Sequence, residues 1–518
     1  MNQKNSYVLF LIILGCSGIL VFANLTQGHN WGDDFASYIM QAKSIVDFTP
    51  HNFIESNRFT IEQSSNILGP IAYPWGFPLL LAPFYSIFGL NLIAFKMVGA
   101  LSFILFLGVL WHGFRKVHPP FILLCLVCFF ALNPVLLKYT NNILSDLPFL
   151  FLSTLSIVLI QSNIIDGRQH ISKFWDSILI GLVIAIAFSV RSNGILLLIT
   201  LGFSQIVAVL RERYTKQQSI PEKEQGENTQ IFLISGHRFS IKALLQHSVA
   251  YLVFFSLVVI FASVFPEGGG SYLSQLKHIS LPMLIEHLNY YSLLLSRFFW
   301  GIPHEKLVYM ASIPFVIVGI IVRFRSAYPE IIYSVLTIIL YICWPEPSGL
   351  RFLFPILPFY VSFLFSGLEW LSQKKEPMGM GERRLRKVIC FTPGLVIILC
   401  FAIISARDAS HTYFANKISD GPYSETSQRM FTFIADHIDA TKTVIFPKPR
   451  AMRLLTNRKS IAIDRIEDIF RGDYLCLSLK EKRNINQVPI AEMRELSEHG
   501  LASLIYENSD YLVYELKK

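Results

Sequence analysis

The sequence predicts an all-α polytopic membrane protein of about eleven transmembrane helices, carrying a small C-terminal extracytoplasmic α/β domain. Three observations lead there. Of 518 residues, 53% are hydrophobic and only 16% are charged, against roughly 25% charged in soluble domains. The apolar residues cluster in runs suited to a bilayer, whose core of about 30 Å takes about 20 helical residues to cross. From residue 406 onward the chain turns hydrophilic, with helix and strand periodicities in alternation. So few charges exclude a water-soluble enzyme, and 43 Phe with 21 Tyr exclude a disordered chain.

Taken in order, the apolar runs are 7–23, 92–111, 121–137, 147–160, 177–190, 195–210, 247–264, 308–322, 331–344, 352–371 and 388–405. The first continues past Ile13-Leu14-Gly15-Cys16, a sequence that faintly resembles a lipoprotein cleavage box, and so reads as a retained span. The connecting segments with Arg115 and Lys116, with 211–242, with Arg323 and Arg325, and with 374–387 are rich in Lys and Arg. By the positive-inside rule these face the cytoplasm. The N-terminus is then cytoplasmic and the tail extracytoplasmic, in a bacterial inner membrane. The net charge of +9 is mainly this topology signal, and no nucleic-acid partner is implied.

Three hydrophilic regions remain. The first external loop, 24–76, is too long for a plain connector and should carry helices. Phe35, Ile39, Ala42 and Val46 recur at helical spacing, predicting an interfacial amphipathic helix over 33–46. The cytoplasmic segment 211–245 reads as a flexible insertion. The tail, 406–518, predicts a helix over 424–438, a strand at 443–446 and a short helix around Ala451. A strand at 460–463, a helix at 491–499 and terminal strands complete an α/β pattern. The membrane catalytic domain is therefore 1–405. Cysteine adds little: six of seven lie in apolar runs, and Cys125-x-x-Cys128 has no neighbouring His or carboxylate to make a metal site.

Charges beside apolar spans are costly, so they mark candidate chemistry. Asp33 and Asp34 lie just beyond the first span, Asp146 begins the fourth, Arg191 lies between the fifth and sixth, and Arg351 begins the tenth. The topology brings all five to the outer face. Each has a plainer reading: Asp146 as a helix cap before Pro148, the arginines as side chains snorkelling to lipid headgroups. Together they suit displacement at a sugar carried on a polyprenyl phosphate. That reaction needs a carboxylate to deprotonate an incoming hydroxyl and fixed positive charge on the leaving phosphate. The chain has no G-x-x-x-x-G-K-[ST] loop for a nucleotide.

The order of motifs resembles the GT-C glycosyltransferases, above all the bacterial branch related to protein O-mannosyltransferases and aminoarabinose transferases. Trp31-Gly32-Asp33-Asp34-Phe35 is similar to the family's Asp-Glu motif, with Asp34 where Glu is commoner. The segment from Tyr73 to Pro83 resembles the family's YPPGYPLLLAP. Ser145-Asp146-Leu147-Pro148 matches its Asp-x-Pro site, and Arg351-Phe352-Leu353-Phe354-Pro355 its RYLLP span. The tail's Phe446-Pro447-Lys448-Pro449-Arg450-Ala451 is similar to an external domain of bacterial members.

The resemblance implies Asp33 as catalytic base, with Asp34 its neighbour and Asp146 a second carboxylate. Asp33 would be kept ionised by the positive end of the following helix. Arg351 would clamp the donor phosphate, with Arg191 and Tyr73 as further donor contacts. No cofactor is required by this reading. A divalent cation held by His29, Asp33, Asp34 and His51 is conceivable, but their spacing matches no strong metal pattern. The expected partners are a polyprenyl-phosphate sugar donor, a glycan, lipid or protein acceptor, and membrane lipids. The rival classes are a lipid-linked polysaccharide polymerase or ligase, a transporter or flippase, and a membrane-anchored sensor.

Overall fold

The computed structural model describes residues 3–65, 68–165, 170–218, 241–268, 279–373, 380–415, 420–480 and 486–517. Most of the predicted insertion at 211–245 lies outside them. The helices are α1 (Gln3–Asn24), α2 (Asp34–Val46), α3 (Pro50–Glu62), α4 (Gly76–Phe88), α5 (Leu92–Phe114), α6 (Pro120–Ala131), α7 (Pro134–Thr140) and α8 (Asp146–Ile165). Next come α9 (His170–Val190), α10 (Ile195–Gln218), α11 (Ile241–Val264), α12 (Leu281–Leu294), α13 (Glu305–Arg323), α14 (Tyr328–Ile342), α15 (Leu357–Gln373) and α16 (Met380–Ala415). The tail adds α17 (Glu425–His437), α18 (Pro449–Thr456) and α19 (Ile490–Glu498).

Every predicted apolar run falls on a helix. Among the described residues, seven helices are long and apolar enough to cross a membrane, and the pair α6 and α7, bent by 52°, makes an eighth. The runs on α9, α11 and α14 are described over Phe174–Val190, Ser248–Val264 and Tyr328–Ile342, and these described stretches are shorter. The bend follows from Asn133-Pro134: proline cannot continue a helix, and the Asn133 side chain caps α7 by accepting from the Val135 and Leu136 amides.

The bundle has a polar cluster at each end. At one end α8 begins with Asp146, α9 ends beside Arg191, and Arg351 leads into α15. At the other, Arg323 on α13 bonds Glu330 at 2.8 Å and Ser362 at 2.7 Å, and Ser362 also meets His118. In between, α13 and α15 cross closely. A Cβ on Gly319 would lie 1.9 Å from the Phe363 carbonyl oxygen, and one on Gly367 would lie 2.0 Å from that of Phe315. This is the small-residue crossing of membrane helices.

Helix α4, apolar but outside the predicted spans, begins and ends at the Asp146 end. Gly76 abuts Ser189 near Arg191, while Tyr85 stacks on Phe95. The adjacent Lys96 is buried there, with Nζ donating to the Thr26 carbonyl and to Asn141, each at 2.7 Å. α2 does carry an apolar face as its periodicity predicts. Phe35, Ile39 and Ala42 are fully buried in the bundle core.

The tail forms a five-stranded sheet from β1 (Thr443–Ile445), β2 (Lys459–Ile461), β3 (Tyr474–Ser478), β4 (Ala502–Glu507) and β5 (Tyr511–Leu516), in the order β2-β1-β3-β5-β4. The β1 strand pairs parallel with β2 and β3, while β5 pairs antiparallel with β3 and β4. Alternate residues fill two cores. Val444, Cys476 and Val513 pack with α17, and Ile445, Leu475 and Leu512 pack with Met493 of α19. The α18 helix bridges the two parts: Met452 packs in the core with Val444 and Cys476, while the helix also packs on α2 and α3.

Candidate active site

Asp33 and Asp34 are adjacent in sequence but have different surroundings. Asp34, the first residue of α2, is bound on both oxygens. Its Oδ1 accepts from the Tyr73 hydroxyl at 2.7 Å, and its Oδ2 accepts from Arg351 Nη2 at 3.0 Å. Arg351 reaches onward, with Nη1 3.8 Å from Asp146 Oδ2, and Asp146 Oδ1 accepts from Arg191 Nη1. A chain of alternating charge therefore runs Asp34, Arg351, Asp146, Arg191. Phe352 lies under both guanidiniums, at 5.0 Å from Arg351 and 4.9 Å from Arg191. Such stacking fixes the planar arginine forks.

Asp33, the residue before α2, makes no cap bond to its own helix. Instead its Oδ1 accepts from the Ala451 amide of α18 at 3.2 Å. Its buried Oδ2 has no hydrogen-bond partner and stands 3.9 Å from Arg450 Nε, which is also unpartnered. Burial raises the Asp33 carboxyl above its ordinary range, against the pull of Arg450 and Lys448. The helix dipole is expected to help keep Asp33 ionised, and burial acts against that help. Burial would raise Asp34 also, but Arg351 and the Tyr73 hydroxyl outweigh it and hold Asp34 low. The two carboxyls are thus pushed apart, a recurrent mark of acid–base sites.

Tyr73 links the two halves. Gln41 on α2 grips its backbone at both N–H and C=O, its ring lies 4.6 Å from that of Tyr38, and its hydroxyl accepts from Arg450 Nη1 at 3.3 Å. Tyr38 in turn meets Ser145, next to Asp146, at 3.1 Å.

All six predicted site residues thus converge at one end of the bundle. Glu55 is exposed on α3, and Glu62 pairs with Arg58, so these two first-loop acids do not join them. The four residues weighed for a cation do not make a metal group. His29 stacks on Phe35, its Nε2 accepts from the Ile143 amide, its Nδ1 faces the Asn30 carbonyl, and burial pushes its pKa down to about 4. Both ring nitrogens are therefore engaged, while His51 is exposed. Among the described residues no group of three or more His, Cys, Asp or Glu gathers for a metal.

Sequence reasoning missed Arg450, Tyr38 and Ser145. Arg450 is fully buried although it lies in the hydrophilic tail, and the Pro-Lys-Pro-Arg motif was its only signal.

The fold is shared with solved structures of ArnT and of an archaeal oligosaccharyltransferase. By sequence, no family model and no curated protein matches the chain. By structure, it is similar to ArnT from Cupriavidus metallidurans, in the apo state and bound to undecaprenyl phosphate. The TM-score is 0.57 and the identity 10%, covering 99% of this chain and 98% of ArnT. It is also similar to the Archaeoglobus fulgidus oligosaccharyltransferase AglB in complex with an inhibitory peptide and a dolichol-phosphate. There the TM-score is 0.53 and the identity 10%, covering 92% of this chain and 70% of AglB.

Proposed function

We propose that this chain transfers a glycosyl group from a polyprenyl-phosphate carrier to an acceptor hydroxyl at the extracytoplasmic face of the membrane. Asp33 takes the proton from the acceptor hydroxyl. The freed oxygen bonds to the anomeric carbon as the bond from that carbon to the phosphate oxygen breaks. The electron pair leaves with the polyprenyl phosphate, and Arg351, aided by Arg191, meets the growing negative charge. Asp34 and Asp146 hold those arginines in place, and Tyr73 orients Asp34.

The observation that carries this reading is the division of labour between the carboxylates. Asp34 is hydrogen-bonded on both oxygens and Asp146 is bonded by Arg191, whereas Asp33 accepts no hydrogen bond from a guanidinium and its buried Oδ2 accepts none at all. A base needs such an oxygen. The fold shared with proteins solved with undecaprenyl phosphate and with dolichol-phosphate supports a lipid-phosphate donor.

The test is transfer in liposomes holding the protein and a set of polyprenyl-phosphate sugars, scored as free polyprenyl phosphate and glycosylated acceptor. Mass spectrometry of envelope glycans from deletion and parent strains supplies the sugar and acceptor. Activity with diphosphate-linked donors alone would replace this reading with that of a polymerase or ligase.

A further inference from the structure

Arg450 belongs to the tail yet lies inside the site built by the first loop. Its side chain is fully buried. Nη2 donates to the Pro70 carbonyl at 2.7 Å, Nη1 to the Tyr73 hydroxyl at 3.3 Å, and the guanidinium covers the Tyr73 ring at 5.4 Å. Gly69, with φ +87°, makes the turn that brings this loop to it, close enough that a Cβ would lie 3.9 Å from the guanidinium. The Nε edge, left unpartnered, faces the unpartnered oxygen of Asp33. Arg453, one turn further along α18, points elsewhere and seats the helix by bonding Ser56, Asn57 and Thr60 on α3.

We propose that Arg450 is a positioning residue for the transfer: the C-terminal unit supplies the buried positive charge that holds Asp33 as an ionised base, so the first-loop carboxylate is armed only while the tail is seated on it. This rests on the function proposed above. The groups facing Asp33 are few. Asp34 on its own helix opposes ionisation; Arg450, Lys448 and the Ala451 amide of the tail favour it, with Arg453 as a more distant cation. Burial works against the charged form throughout. Of the favourable groups, Arg450 comes first and is the most deeply enclosed, so its field is the least screened by water.

The experiment is the pH dependence of kcat/KM for sugar transfer by the full-length protein in liposomes, comparing wild type, Arg450→Met and Arg450→Lys. An opposite charge at this range typically moves a carboxyl by about 1–3 units. The acid limb of Arg450→Met should therefore move to higher pH by about one unit or more. Arg450→Lys, which keeps the charge, should stay nearer to wild type. A partly misfolded preparation lowers the height of the profile but not the position of its limb, which keeps the two effects separate. An Arg450→Met limb at the wild-type position, a loss uniform across all pH, or equal damage from Lys and Met would each overturn the proposal. A wild-type protein that transfers no sugar from any polyprenyl phosphate would instead overturn the proposed function.

Discussion

Asp34 and Arg351 are separated by 317 residues in sequence and by 3.0 Å in space. The pair joins the first loop to the segment that leads into α15, and Arg351 carries the link to Asp146 at the start of α8. Replacing Arg351 by Ala would take from Asp34 its guanidinium partner, while Asp146 keeps Arg191. Transfer by Arg351→Ala should fall by about 100-fold or more, the usual loss when a group stabilising a leaving oxyanion is removed. Arg351→Lys should recover only part of it, since an ammonium cannot fork between two carboxylates. Donor titrations in liposomes check both; unchanged donor use in Arg351→Ala would end the clamp role.

Asp33→Asn should remove activity while leaving the protein folded. The amide oxygen can still accept from the Ala451 amide, but it takes up no proton. The expected loss is about 100- to 10,000-fold, the range of general-base contributions. Full activity in this variant, assayed beside its melting curve, would exclude Asp33 as base.

Stability should depend on pH in opposite senses at the two carboxyls. Asp33 is raised, so the folded protein holds its proton to higher pH than the unfolded chain does. The stability it contributes is present below the ordinary carboxylate range and is lost as pH rises through the raised value. Asp34 is depressed, so its contribution is present above the ordinary range and is lost as pH falls through the lowered value. Asp33→Asn should flatten the first slope and Asp34→Asn the second. Thermal unfolding of the detergent-solubilised protein across pH reads both, and identical profiles in all three proteins would contradict the assignment.

The crossing of α13 on α15 gives a purely structural prediction. With a Cβ on Gly319 only 1.9 Å from a backbone oxygen, Gly319→Val must push the helices apart. Overpacking of this kind costs typically about 1–3 kcal/mol. A lower Tm with the pH dependence of transfer unchanged is expected; an unaltered Tm would mean that the crossing is looser than described.

The first loop and the tail must share one side of the membrane. A cysteine at Glu55→Cys, exposed on α3, and a tag after Lys518 should both be reached from outside intact cells. Labelling of either only after permeabilisation would invert the proposed orientation.

Much of this was legible in the sequence because a charge beside an apolar run is expensive and therefore stands out. Asp146, Arg191 and Arg351 are visible for that reason, and Asp33-Asp34 by the helical periodicity that follows them. The tail's helices and most of its strands showed in the same way. Arg450 was not legible, because an arginine in a hydrophilic segment is ordinary until packing shows it enclosed. Nor was the fate of α4, whose 13 largely apolar residues look the same in sequence whether they enter a bundle or lie along its end.

Trp31 shows what the seam between the loop and the tail implies for inheritance. Its indole N–H donates to Asp420, and its ring meets those of Phe431, Phe446 and Tyr511, all contributed by the tail. A hybrid that took its membrane half from one homologue and its soluble half from another would bring together mismatched aromatic surfaces and, beneath them, a carboxylate facing a stranger's side chain. The two segments are therefore expected to evolve as one unit, and recombination between lineages should survive only where both are exchanged together.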